Sequence, residues 1–448
     1  MFDYTLIGTQ IFELLRGGAS ALVRYAPLWL PFFLLYVFFQ IWTQYVRTAN
    51  LATWEWDLLE LKLPREISKS PAAMEVVLNA LFQTGGEGNW YDKYWKGGMR
   101  PWFSLEMVSI NGTVHFFVRT TKKLRGIVEA QLYSQYPSIE IQDAEDYANH
   151  IPYGENHETS LWGCEFVLTK SDPYPIKTYV DYGLDKDPKE EYKVDPMTPA
   201  IEFLGSLKQG EQLWIQILVR AHKGEKPKYK TLFHGIFSGD MELFNEKGLL
   251  GKKGPWRATT DKWKDDAKEE IKKIIKDATP EGAPPEKSGI LNLTPGQKFI
   301  VEALERSITK PGFDVGIRGI YITEKDKFNP NNIGGLTGAF KQYNTNHLNG
   351  FRPNKTTSFD FPWQDPFKSR VESKKRKMVD AYRRRAFFHP PPNTIKLFSS
   401  KKGNDIFVLN SEELATIYHL PGEVATTPTL PRIESRKGEA PSNIPGLG

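Results

Sequence analysis

Trp102–Arg119, WFSLEMVSINGTVHFFVR, reads as two β-strands joined by a two-residue hairpin. Asn111-Gly112 carries the signal, because both central residues of a type I′ turn need a positive φ. Trp102–Ile110 and Thr113–Arg119 are the two strands, and on either side of them the apolar period changes from two to 3.6. Upstream, Ser70-Pro71 opens a helix with a cap and a proline at the first position, and Met74, Val77, Leu78 and Leu81 form its stripe. Before that helix, Trp56–Leu63 (WDLLELKL) reads as a strand. Downstream, Leu124, Ile127, Val128 and Leu132 share a helix face that must end before Pro137, and Ser138–Gln142 closes the pattern. Residues 50–150 therefore read βαββαβ, a ferredoxin-like unit of the α+β class.

The order recurs over residues 158–410. Leu161–Thr169 is a strand, Thr198-Pro199 caps a helix with Ile201, Leu204 and Leu207, and Gln212–Ala221 is apolar on both faces, as a central strand is. Phe313–Thr323 follows, then a helix from Asn329-Pro330 with Ile333, Leu336, Phe340 and Tyr343 inward. The last strand is either His347–Phe351 or Asp405–Leu409. Residues 222–310 then form an insertion, helical over 258–310. One of its helices, Asp261–Ala278, carries Trp263, Ala267, Ile271 and Ile274. The other starts at the Thr294–Gln297 capping box and carries Ile300, Ala303, Leu304 and Ile308. With TPEGAPPEKSG between them, a projecting antiparallel hairpin is expected.

Ala26–Val46, APLWLPFFLLYVFFQIWTQYV, has no charged side chain and, as a helix, spans about 30 Å, one hydrocarbon core. Its 11 Leu, Ile, Val and Phe residues favour insertion by roughly 5 kcal/mol. A cleaved signal would have a shorter apolar core and a better cleavage site than RTANLATW. A helix buried in a soluble core would rarely be apolar on every face for so long. Residues 26–46 are therefore expected to form a single transmembrane helix, with 1–25 as an N-terminal segment whose residues 2–15 have the spacing of an interfacial helix. The 448-residue chain as a whole is 25% charged, with net charge +5 and pI near 8.8, so the bulk beyond this stretch is globular. A lone Cys164 forbids an intrachain disulfide.

Residues 366–388 form a basic helix. Lys374, Lys375, Arg376, Lys377, Arg383, Arg384 and Arg385 are candidate contacts to phosphate or lipid headgroups, the alternative being a solvated face. No phosphate-binding G-x-x-x-x-G-K-[ST] loop, no H-E-x-x-H and no G-x-S-x-G occurs, and one cysteine cannot build a thiolate zinc site. No catalytic residue, cofactor or metal is therefore assigned. GGLTGAFK, within a helix, reads as small residues that allow close packing. Residues 411–448 comprise a short helix and a tail from Pro421 rich in Pro, Thr, Ser and Gly, which reads as a tether or a docking strand for a partner.

Several segments resemble a known group: ELKLPREISKSPAAMEVVLNALF, GFDVGIRGIYITEKDKFN with GLTGAFKQYNTNHLNGF, and LNSEELATIYHLPG followed by TPTLPRIESRKGEAPSNIP. They are similar to the membrane-proximal, non-ATPase portion of bacterial type IV secretion or conjugative DNA-transfer coupling-protein-like proteins, or to a domain of unknown function. The resemblance implies a non-enzymatic scaffold in the bacterial cytoplasmic membrane, single-pass, with its body in the cytoplasm. It also implies a coupling-type ATPase supplied in trans, with DNA and further copies of the chain as candidate partners. The alternative is a membrane-tethered nucleic-acid-binding protein that uses the basic helix.

Overall fold

The computed structural model describes residues 16, 17, 20, 23–64, 69–87, 90–150, 159–185, 194–224, 261–278, 293–359, 361–389, 405–422 and 430–433. In chain order the elements are α1 (Ala26–Ala52), β1 (Trp56–Pro64), α2 (Ala72–Ala80), α3 (Trp90–Tyr94), β2 (Trp102–Ile110), β3 (Thr113–Thr121), α4 (Lys122–Gln135) and β4 (Glu140–Asp143). Then come β5 (Thr159–Leu168), α5 (Thr198–Gly205), β6 (Glu211–Ala221), α6 (Lys262–Asp277), α7 (Pro295–Thr309), β7 (Gly312–Glu324), α8 (Asn331–Gly338) and β8 (Phe351–Asn354). The described chain ends with α9 (Ser369–Arg383), β9 (Phe407–Asn410), α10 (Ser411–Ile417) and β10 (Arg432–Ile433).

The class is α+β, built on one large sheet that is antiparallel except at β10. Its order is β10-β1-β3-β2-β6-β7-β5-β8, with β4 also on β1 and β9 also on β7. The first half runs β4-β1-β3-β2 and the second β8-β5-β7-β6. They join where β2 lies antiparallel to β6 from Trp102↔Arg220 to Ile110↔Gln212. The hairpin turns as its sequence requires, with Asn111 at φ 54° and Gly112 at φ 83°. Both candidates for the last strand touch real strands on different partners: β8 begins at Phe351 and pairs β5, while β9 covers Phe407–Asn410 and pairs the start of β7.

Strand alternation sorts side chains to two faces. Phe103, Leu105 and Met107 of β2, Leu213, Ile215, Ile217 and Val219 of β6, and Phe313, Val315 and Ile317 of β7 join the main core with α2, α4, α5, α8 and α10. The opposite face carries Val108, Trp214, Leu161 and Ile320, covered by Met378, Val379 and Tyr382 of α9. Close packing uses the small residues of GGLTGAFK: a Cβ on Gly335 would lie 2.1 Å from the Phe203 ring.

Four expectations change. The helix that begins at Ala26 continues past Arg47 to Ala52, because RTANLA contains no breaker and its end is held by the body. On α4, Val128 and Leu132 are buried but Ile127 is exposed. The insertion helices lie against the body rather than projecting: Trp263 is buried and donates Nε1–H to Asp172 O at 3.2 Å, Tyr174 OH donates to Glu270 at 2.8 Å, and Arg306 pairs with Asp181 at 2.8 Å. Within the tail, Leu430 is buried, and Arg432 and Ile433 pair in parallel with Leu63 and Pro64. Residues 2–15, the link TPEGAPPEKSG and residues 434–448 lie outside the described residues.

Candidate functional site

The basic helix is the place to begin. Met378, Val379 and Tyr382 of α9 point to the sheet, so their helical neighbours at other angles face outward. Arg376, Lys377 and Arg384 are exposed. Lys375 pairs with Glu372 at 3.1 Å and Arg384 with Asp380 at 2.8 Å. Lys374 Nζ stands 3.6 Å over the Phe359 ring and donates to Thr356 O at 3.3 Å. Arg383 donates Nε–H to Ala148 O at 2.9 Å, back into the body.

Arg385 is a correction. It is 0% exposed and sits at φ 48° just beyond the helix end, which turns its side chain under α9. Its Nε and Nη2 donate to the two oxygens of Glu106 at 3.0 and 3.1 Å, Nη2 also reaches Asp146 Oδ1 at 2.9 Å, and Nη1 donates to Asp146 Oδ2. A guanidinium so engaged has no donor left for a phosphate. The seven basic residues therefore do not form one cationic face.

What lies beneath α9 is a polar row across four neighbouring strands. The pairing register sets Glu106 opposite Gln216, Gln216 opposite Arg318, and Arg318 opposite Glu165. Gln216 Nε2 donates to Glu106 at 3.0 Å, Arg318 Nη1 to Gln216 at 3.3 Å, and Arg318 Nη2 to Glu165 at 2.9 Å. Tyr147 OH donates to Glu106 at 2.7 Å and bonds Tyr382 OH at 2.7 Å, which ties the row to α9. Burial disfavours the charged Glu106, but Arg385 and the donors around it outweigh burial and hold the carboxyl at about 2. Burial, with Glu106 nearby, pushes the Tyr147 and Tyr382 phenols well up, and burial raises the Cys164 thiol. The arrangement fixes geometry: charges alternate, each is met by hydrogen bonds, and the helix end is locked to the sheet.

Sequence reasoning passed over these residues. The signal was a long polar side chain near the middle of each largely apolar strand: Glu106 in WFSLEMVSI, Gln216 in EQLWIQILVRA and Arg318 in FDVGIRGIYIT. A second cluster closes the same face near Trp102. Asp314 Oδ2 pairs with Arg220 at 2.6 Å and Arg100 at 3.3 Å, while His222 Nδ1 lies 2.6 Å from Asp314 Oδ1. Among the described residues no group of three or more His, Cys, Asp or Glu side chains could hold a metal ion.

The chain belongs to the family described as Domain of unknown function (DUF8128), whose model matches residues 47–432. That match begins one residue after the apolar stretch and takes in β1 through β9. No curated protein matches the chain.

Proposed function

We propose that this chain is a membrane-held scaffold: α1 crosses a bilayer, and two ferredoxin-like units joined edge to edge form a stiff platform beside it. The observation that carries this reading is the divided behaviour of α1. Among the described residues its most apolar window has no buried residue, whereas at its C-terminal end Val46 is buried and Asn50 Nδ2 donates to Gly97 O at 3.0 Å. A helix that is apolar on all sides, with no buried residue over its most apolar part and bolted at its C-terminal end, suits an anchor. Support for two units comes from the strand orders β4-β1-β3-β2 and β8-β5-β7-β6, each reached by a β-α-β-β-α-β path.

Leu34→Lys with Leu35→Lys tests the anchor. Two central lysines cost about 2.5–3.5 kcal/mol each, enough to cancel the insertion gain. The natural chain is expected to stay with membranes through alkaline carbonate washing and the variant to be released. Release of the natural chain would sink the reading.

The larger machine is inferred from the resemblance of residues 60–82, 312–351 and 409–445 to secretion and coupling-type proteins. On this reading the chain sits in the bacterial cytoplasmic membrane with its body in the cytoplasm, does no chemistry itself, and serves a coupling-type ATPase supplied in trans. Purification in mild detergent from the native cell should bring that ATPase along; its consistent absence would count against the assignment. DNA binding by the basic helix, the alternative, keeps only the exposed Arg376, Lys377 and Arg384 as surface contacts.

A further inference from the structure

Between α2 and β2, residues 90–98 form a short loop that begins with α3 and whose aromatic side chains face outward: Trp90 is 58% exposed, Tyr91 52% and Trp95 41%. In water such a cluster is costly to leave open. It is not isolated, however. A file of rings runs from the lipid-facing side of α1 onto the loop: Phe38 to Trp42 at 6.1 Å, Trp42 to Trp95 at 5.4 Å, Trp95 to Trp90 at 5.8 Å. The loop is fixed to the helix by Trp42 Nε1–H donating to Tyr94 O at 3.1 Å and by the Asn50–Gly97 bond. Gly97, at φ +65°, presses its backbone on α1 so closely that a Cβ would lie 2.2 Å from Val46 O.

We propose that this loop is a second membrane contact, with Trp90, Tyr91 and Trp95 seated in the interfacial layer of the bilayer that α1 crosses. The inference rests on the reading of α1 as a spanning helix. Depth supports it. Trp42 lies five residues before Arg47, the first charge after the apolar stretch, so it sits about 7 Å inside that boundary at 1.5 Å per residue. Rings packed on Trp42 fall in the zone, roughly 5–10 Å deep, where amphipathic aromatics collect. The cations on the loop suit the same level: Lys93 and Lys96 stand 5.5 and 5.3 Å from the Tyr94 and Tyr91 ring centres, with Lys96 also paired to Asp92 at 3.1 Å, so their stems cover rings while their charges stay at the polar boundary. The contact would hold the sheet at a fixed tilt, which one helix alone cannot do.

The test labels single introduced cysteines with an environment-sensitive fluorophore on the full chain in phosphatidylcholine–phosphatidylglycerol vesicles. Cys164 is buried with its thiol pushed up, so it stays silent. Leu35→Cys reports the span, Tyr91→Cys the loop, and Asp326→Cys the end of the sheet remote from Trp102. Lipid-borne nitroxides should quench the labels at 35 and 91 several-fold more than the one at 326, and aqueous iodide should show the reverse order. Quenching at 35 with none at 91 overturns the loop contact and leaves the anchor standing. No quenching at either removes both, and quenching at 91 alone keeps the contact but removes the spanning helix. Trp90→Cys repeats the reading at a neighbouring exposed site, so a misfolded Tyr91 variant cannot decide the outcome.

Discussion

Glu106 accepts five hydrogen bonds, from Ser104, Tyr147, Gln216 and two nitrogens of Arg385, in a setting with no exposed surface. Burial alone would raise its pKa; Arg385 reverses that, down to about 2. The sign of the pH dependence follows. An unfolded glutamate takes up a proton near pH 4.5, which the folded carboxylate refuses, so stability is full above that value and declines as pH falls towards 2. Arg385→Met should invert this. It leaves Glu106 and Asp146 without their cation and should cost about 3–5 kcal/mol at pH 7, as breaking a buried pair does. With Glu106 then governed by burial, the variant should regain part of that loss between pH 7 and 5, where the natural chain gains nothing from this group. Urea midpoints at matched m-values read both slopes; parallel profiles would show that Arg385 does not set the Glu106 charge. Little of this was legible. In the run Arg383-Arg384-Arg385 composition cannot tell an exposed cation from a buried one, because the difference is made by a positive φ and by partners 239 and 279 residues away.

Elements were legible wherever a local rule decided them. Asn111-Gly112 fixed the hairpin, Thr294–Gln297 the start of α7 with both halves of its capping box formed, and the apolar stripe of α2 its buried face. Local rules failed where a distant surface arbitrated. Ile127 matched the α4 stripe by spacing but the sheet does not reach it, and the tail strand at Arg432 exists because β1 offers an open edge at Leu63. The same distinction separates two glycines. Gly112 has φ +83° and its Cβ would meet Leu207 O at 2.4 Å, whereas Gly126 lies within α4 with nothing inside 4 Å of its Cβ position. Gly112→Ala should therefore destabilise by more than about 1 kcal/mol, since both strain and a clash oppose it. Gly126→Ala should stabilise by about 0.5–1 kcal/mol through helix propensity and the unfolded chain's lost freedom. Thermal midpoints moving in opposite directions would bear this out; a tolerated Gly112→Ala would mean the turn relaxes.

At the scale of the molecule, the periodicity marked two successive β-α-β-β-α-β runs, but not that they share one sheet. Nothing in β2 gave that away: the apolar pattern of WFSLEMVSI reports which of its faces are covered, not which of its edges are paired. The observed join at β2–β6 is reinforced from far along the chain. Ser411 Oγ of α10 donates to Glu75 of α2 at 3.1 Å, Lys310 Nζ lies 2.8 Å from both Glu75 and Glu412, and Tyr418 OH donates to Phe117 O at 3.1 Å. The helix layer over the first half is thus completed by residues that follow the second half, and the two cannot part without baring Leu78, Leu414 and Tyr418. Native-state hydrogen exchange should accordingly give amides of β3 and β7 the same opening free energy and the same denaturant dependence, as one cooperative unit. Residues 50–150 expressed alone should lack protected amides in β2, whose outer hydrogen bonds go to β6. A first half that protects β2 by itself, or opens well below β7 in the whole chain, would mean that the shared sheet is a contact between independent domains rather than the frame on which this platform is built.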